Sequence, residues 1–255
     1  MSIQQEPAKT SYLKAAYVNE IFKISKKKKI TALCILSLLA ALIGSAIVVS
    51  VNNVSGIMLA GSGNFAIVVL SVMNYTLIPL FTAFICVDMF GGEFADNTMR
   101  FTLTSPASRL TVFIAKLLAA ATFIMANLLF VMIVSVLASF FFDTSFGIHL
   151  IVIAYVVSFL PLFIFAMTVS VISCWTRGTT SAFLLCILIF LGFNFLEVWF
   201  PSVKSFFFTS SLGWYNLFMG DYINIGKILR MFLILSGYGV MLFGTGLALF
   251  ERKDL

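Results

Sequence analysis

Glu93, Asp96 and Arg100 stand close together in a polar stretch whose flanks on both sides are apolar. Charges three or four residues apart share one face of a helix. Drawn as a helix from Glu93 to Thr104, the stretch divides in two. Glu93, Asp96, Asn97, Arg100 and Thr104 fall on one arc, and Phe94, Ala95, Met99, Phe101 and Leu103 fall on the other. The chemistry this supports is recognition: an amphipathic helix lying at a membrane surface or docking on a partner. A plain solvated loop is the alternative. Asp96 and Arg100 can pair. Gly91-Gly92 is expected to break the chain ahead of the helix. Pro106 is expected to end it, because the residue before a proline avoids the α region.

Catalytic chemistry finds no foothold elsewhere. The chain has no G-x-x-x-x-G-K-[ST] phosphate cradle, no H-E-x-x-H and no Gly-x-Ser-x-Gly. Its one histidine, His149, falls at a membrane boundary and reads as interfacial. Cys34, Cys86, Cys174 and Cys186 lie in or beside apolar runs without metal-ligand spacing, so no metal site is expected and they read as small packing residues. Ionisable residues are missing from the middle of the apolar runs, where ion-coupled pumps place them. The mid-depth polar residues are Asn74, Asn127 and Asn194, which are candidates for interhelical hydrogen bonds or for a substrate path.

The elements that must position these residues are membrane spans. Hydrophobic residues make up 61% of the chain and charged residues 10%, with a mean hydropathy of +1.10. Soluble domains carry about 25% charged residues. A span needs about 20 apolar residues, so the chain accommodates six spans and no soluble domain. The spans fall at about Ile30–Val51, Phe65–Met89, Leu110–Phe142, Ile148–Cys174, Ser181–Glu197 and Ile228–Phe250. Residues 1–29 hold an interfacial helix, about Tyr12–Ile24, followed by the basic run Lys26-Lys27-Lys28-Lys29. Asn19, Glu20 and Lys23 form its polar stripe. The basic run holds the N-terminus in the cytoplasm or binds anionic lipid. Residues 30–255 form one transmembrane domain.

Of the 16 Lys and Arg residues, only Lys204, Lys227 and Arg230 fall on the outer side when both termini are cytoplasmic, as the positive-inside rule requires. The net charge of +6 is spread along the membrane flanks and is not a nucleic-acid signature. Residues 198–227 are aromatic yet broken by Pro201, Gly213 and Gly220, which fits an outer re-entrant hairpin or an aromatic belt. Trp199, Phe207 and Trp214 are its candidate gate residues. Gly237, Gly244 and Ala248 share one face of the last span, as close helix packing would require.

The stretch Glu93…Asn97-Thr98…Leu103-Thr104-Ser105-Pro106-Ala107-Ser108-Arg109…Lys116 resembles the loop after the second span in membrane subunits of type-2 ABC exporters. The family typically has Gly where Asn97 stands. The tail Phe250-Glu251-Arg252-Lys253-Asp254-Leu255 resembles the family's closing Phe-x-Arg-Arg-Asp-Leu, and Glu20-Ile21-Phe22-Lys23 resembles its N-terminal surface helix. The resemblance implies an all-α permease subunit of the bacterial plasma membrane, itself without ATPase activity. It would pair with a second permease, identical or related, and with two cytoplasmic ATPase subunits that bind ATP and Mg. Glu93, Phe94, Asp96, Asn97, Arg100 and Phe101 (within loop 91–109) would form the coupling helix seated on the ATPase. Arg109 and Lys116 would anchor the loop, Glu20 and Lys23 would brace it, and residues 198–227 would gate the exit. The cargo implied is hydrophobic or amphipathic: a peptide, an antibiotic or a lipid. An immunity or assembly protein that docks an ATPase without transport remains open, as does an ion-coupled secondary transporter.

Overall fold

The computed structural model describes residues 9–28, 65–93, 108–141, 147–176, 178–200, 208–219 and 224–252, with scattered positions between Ala32 and Gly44. Most of the expected first span lies outside the described residues. So do Phe94–Ala107, which include Phe94, Asp96, Asn97, Arg100 and Phe101, and so does Phe207. Among the described residues the fold is helical, with no strand.

The helices are α1 (Lys9–Lys26), α2 (Phe65–Tyr75), α3 (Leu77–Val87), α4 (Arg109–Phe141), α5 (Ile148–Trp175), α6 (Thr179–Trp199) and α7 (Ile225–Arg252). A π-helical turn, Asp88–Gly92, extends α3, and a 3₁₀ helix, Phe208–Phe218, precedes α7. Four helices, α4 to α7, are long and apolar enough to cross a membrane, and α2 with α3 makes a fifth, bent crossing. At 28 residues, α5 is roughly 42 Å long, more than the apolar thickness of a bilayer. It is the central helix, packing against α3, α4, α6, α7 and the 3₁₀ helix.

The second span bends by 43° at Thr76. Pro79 is the cause. Its ring would collide with the carbonyl of Tyr75 in a continuous helix, and it has no N–H to bond there. The helix restarts at Leu77, which places Pro79 in a first turn where a missing donor costs little.

Pro161 has the same deficit inside α5. It leaves the carbonyl of Val157 without a helical donor. Trp214 supplies one: its Nε1–H donates to Val157 O at 2.9 Å. The 3₁₀ helix is held at the bend as well, where Asn74 Nδ2 donates to Leu212 O at 2.6 Å. Gly213 lies so close to the bend that a Cβ there would sit 2.7 Å from Tyr75 Oη.

At the same end of the bundle, Tyr155 Oη donates to Ala66 O at 3.1 Å and shares a hydrogen bond with Ser135 Oγ at 2.9 Å. This pins α5 to both α2 and α4. In α7 the close-packed glycines differ from those expected. A Cβ on Gly239 would meet Ile164 Cδ1 at 3.1 Å, and one on Gly246 would meet Phe113 Cζ at 3.0 Å. A Cβ on Gly237 or Gly244 would meet nothing within 4 Å among the described residues. The apolar periodicity of a membrane helix marks no single buried face, because lipid and protein are both apolar.

Candidate functional site

Four side chains close a ring of alternating charge where α1, α4 and the end of α3 meet. Glu20 and Lys23 lie one turn apart on α1, and Lys27 follows one turn later on the same side. Lys116 lies two turns into α4. Glu93 follows the π turn. Its position depends on that turn: residues five apart in an α-helix point about 140° apart, whereas the wider i→i+5 turn brings Asp88 and Glu93 toward one side.

Lys116 Nζ lies 3.1 Å from Glu20 Oε2 and 2.8 Å from Glu93 Oε2, and donates to Met89 O at 3.0 Å. Lys23 Nζ lies 2.9 Å from Glu20 Oε1 and 3.0 Å from Glu93 Oε1. Each carboxylate therefore bridges both ammonium groups, and the ring is neutral. Lys27 Nζ pairs with Asp88 Oδ2 at 2.5 Å beside it. The Lys116 side chain is fully buried and its three contacts match its three N–H donors. Glu20 is nearly as buried, while the Lys23 side chain is 33% exposed.

The surroundings favour the charged forms of Glu93 and Lys23. Burial alone would raise the pKa of Glu93, but Lys116 and Lys23 outweigh it and hold the carboxyl below its usual range. Burial would lower Lys23, but Glu20 and Glu93 outweigh it and hold the ammonium above its usual range. Charges this buried persist only when paired.

Aromatic packing backs the ring. Phe90, one turn before Glu93, contacts Phe113 of α4 and Phe250 of α7, and Lys116 Nζ sits 6.0 Å from its ring centre. Arg109 Nη1, at the start of α4, donates to the carbonyl of Glu251. The segment after Glu93 thus departs from a junction fixed by α1, α3, α4 and α7.

This junction differs from the sequence reading in two respects. Gly91 and Gly92 do not break the chain. Both are buried in the π turn, where tertiary packing against Ser173 and Thr179 overrides glycine's weak helix preference. The stripe of Glu20 and Lys23 faces the protein, because Lys116 and Glu93 offer partners that water cannot match inside an apolar site. Asn19 is exposed.

Toward the opposite end, Trp214 and Asn74 are buried at the bend, and Trp199 is exposed. Asn194 donates to Phe190 O of its own helix at 2.8 Å. Asn127 is buried in α4, and neither of its side-chain polar atoms has a hydrogen-bond partner among the described residues. An apolar cavity of 280 Å³ opens at the bend between α3, α5 and α6, lined by Tyr75, Pro79, Leu80, Phe165, Phe190 and Leu191 among others. Cys86, Cys174 and Cys186 are buried. Among the described residues no cluster of His, Cys, Asp and Glu could hold a metal.

No curated protein matches this chain. A family model described as "ABC-2 family transporter protein" matches residues 18–211, most of the chain. The match includes the charge ring, the loop that follows it, α1 from Val18 onward and all of α2 to α6. Together with its apolar helices, it shows that this multi-pass membrane chain belongs to the ABC-2 family of transporter permeases.

Proposed function

We propose that the chain is the permease subunit of an ATP-driven exporter, with both termini in the cytoplasm of a bacterial cell. Two permease subunits, identical or related, would pair with two cytoplasmic ATPase subunits that bind ATP and Mg. The observation that carries this reading is the buried charge ring. A loop that transmits force needs a rigid root, and Glu93 is joined through Lys116 and Lys23 to both α4 and α1. Motion of residues 94–104 would then move α1, α3 and α4 together. In this reading Phe94, Asp96, Asn97, Arg100 and Phe101 meet the ATPase, while Glu93 sits at the root of the loop.

The apolar cavity at the bend supports a hydrophobic or amphipathic cargo, and Trp214 holds the segment that would gate its exit. The exporter reading is tested by solubilising native membranes mildly and isolating the tagged chain, as wild type and as Asp96→Arg. Recovery of an ABC ATPase with the wild type, and its loss with Asp96→Arg, is expected. Absence of any ATPase from the wild-type preparation would overturn the reading. Loss of cargo efflux from cells lacking the chain separates transport from immunity or assembly without transport.

A further inference from the structure

The charge ring fixes the rotation of α1, and this has a consequence for its other face. Glu20 and Lys23 point into the bundle and Lys27 reaches Asp88. The outward side of α1 carries two large apolar side chains: Val18 is 54% exposed and Phe22 is 58% exposed. An interfacial helix ordinarily turns its charges to water and its apolar side chains to the protein or lipid. Here Glu20, Lys23 and Lys27 are engaged internally, so the outward pair Val18 and Phe22 needs another cover.

What flanks the pair identifies that cover. Lys14, Val18, Phe22 and Lys26 recur at every fourth residue, so they run along one side of the helix. Lys14, Lys26 and Lys28 are exposed. None of the three makes an ion pair among the described residues; Lys26 Nζ lies only over the Phe22 ring, 5.1 Å from its centre. The carboxylates beside α1, namely Glu20, Asp88 and Glu93, are already held by Lys23, Lys27 and Lys116. A shallow groove of 580 Å³ follows the pair, lined by Lys14, Ala15, Val18, Asn19 and Phe22. The groove thus offers apolar wall from Val18 and Phe22 and, beside it, ammonium groups that have no ion pair among the described residues.

We propose that this face of α1 is a binding site for anionic phospholipid. An acyl chain lies along Val18 and Phe22, and the phosphate of the headgroup is met by Lys14 at one end or by Lys26 at the other, with Lys28 adding positive charge nearby in the chain. A zwitterionic lipid would satisfy the apolar pair but not the excess positive charge. A protein partner would need an acidic surface interrupted by apolar side chains. The site does not depend on the transport reading, since it uses only α1 and its own surroundings.

The test counts lipids retained by the detergent-purified full chain in native mass spectrometry, after equilibration with equal amounts of phosphatidylglycerol and phosphatidylcholine. The wild type is expected to retain phosphatidylglycerol preferentially. The triple variant Lys14→Gln/Lys26→Gln/Lys28→Gln is expected to lose that preference by more than tenfold, given roughly fivefold per lysine near an anionic surface. Lys227→Gln, which removes a lysine at the start of α7, should retain the wild-type preference. All three substituted lysines of the triple variant are exposed, so the charge ring and the fold remain intact in it. Equal retention of the two lipids by the wild type, or an unchanged preference in the triple variant, would overturn the proposal.

Discussion

Replacing Lys116 by Met should detach α1 from the bundle while leaving the bundle folded. Lys116 is the fully buried member of the ring and contacts Glu20, Glu93 and the carbonyl of Met89. Met matches its length and fills its space, so packing loss is small. What remains is two buried carboxylates with Lys23 alone between them. Removing one partner of a buried pair costs about 3–5 kcal/mol. Lys23 is partly exposed and already bonded to both acids, so it compensates only in part. The expected cost is about 3 kcal/mol, or on the order of a hundredfold in how often α1 opens. Hydrogen exchange read by mass spectrometry on the detergent-purified chain measures this directly. Protection of Lys9–Lys26 should fall by about two decades, while Ile151–Ile172 of α5 keeps wild-type protection. Adding Glu93→Gln to the Lys116→Met chain should restore part of the loss, because it removes one of the stranded charges. Unchanged protection of α1, or an equal loss across α5, would refute the reasoning.

Three further expectations follow from the same geometry. Glu93 is held below its usual value of 4.5, so its stabilisation is complete above that pH and is lost as pH falls through the lowered folded value. Lys23 is held above 10.5, so its contribution is complete below that pH and is lost as pH rises through the raised value. Exchange of α1 should therefore stay flat between these limits, after correction for intrinsic rates, and rise on strong acidification. Trp214→Phe should lower thermal stability by about 1–3 kcal/mol, the cost of an unpaired buried carbonyl. Pro161→Ala in the same chain should recover much of it by giving Val157 a helical donor, as thermal melts would show. Gly213→Ala should cost about 1–3 kcal/mol through overpacking against Tyr75 Oη. With Tyr75→Phe beside it, the next atoms lie at 3.6 Å or beyond, so the melt should show a near-neutral change.

The five spans among the described residues were legible because length and apolarity alone define them. The sequence placed α4 at Leu110–Phe142 against Arg109–Phe141 observed, and the last helix within a turn of its start. The family was legible because the loop and the tail carry residue patterns that do not depend on knowing the contacts. The partners of the charges were not. Glu20, Glu93 and Lys116 are far apart in sequence, and nothing in their spacing announces that one ammonium serves both acids. The inverted α1 was hidden for the same reason: its polar stripe has the same period whether it faces water or Lys116. The clue available was Lys116 itself, a lysine two turns inside an apolar helix, which requires a buried partner. Glycine pairs were misread because Gly91-Gly92 breaks a helix only when no tertiary contact favours continuing it. The bend at Thr76 follows from Pro79, whose effect on the carbonyl four residues earlier is local and readable.

Residues 94–104 are the proposed contact with an ATPase. A photoreactive amino acid placed at Asn97, and separately at Lys227 as a control, tests that contact in native membranes without relying on survival in detergent. Illumination should join the Asn97 chain to an ABC ATPase, identified by mass spectrometry, and leave the Lys227 chain free of it. An Asn97 chain that captures no ATPase, or a Lys227 chain that captures it equally, would contradict the account.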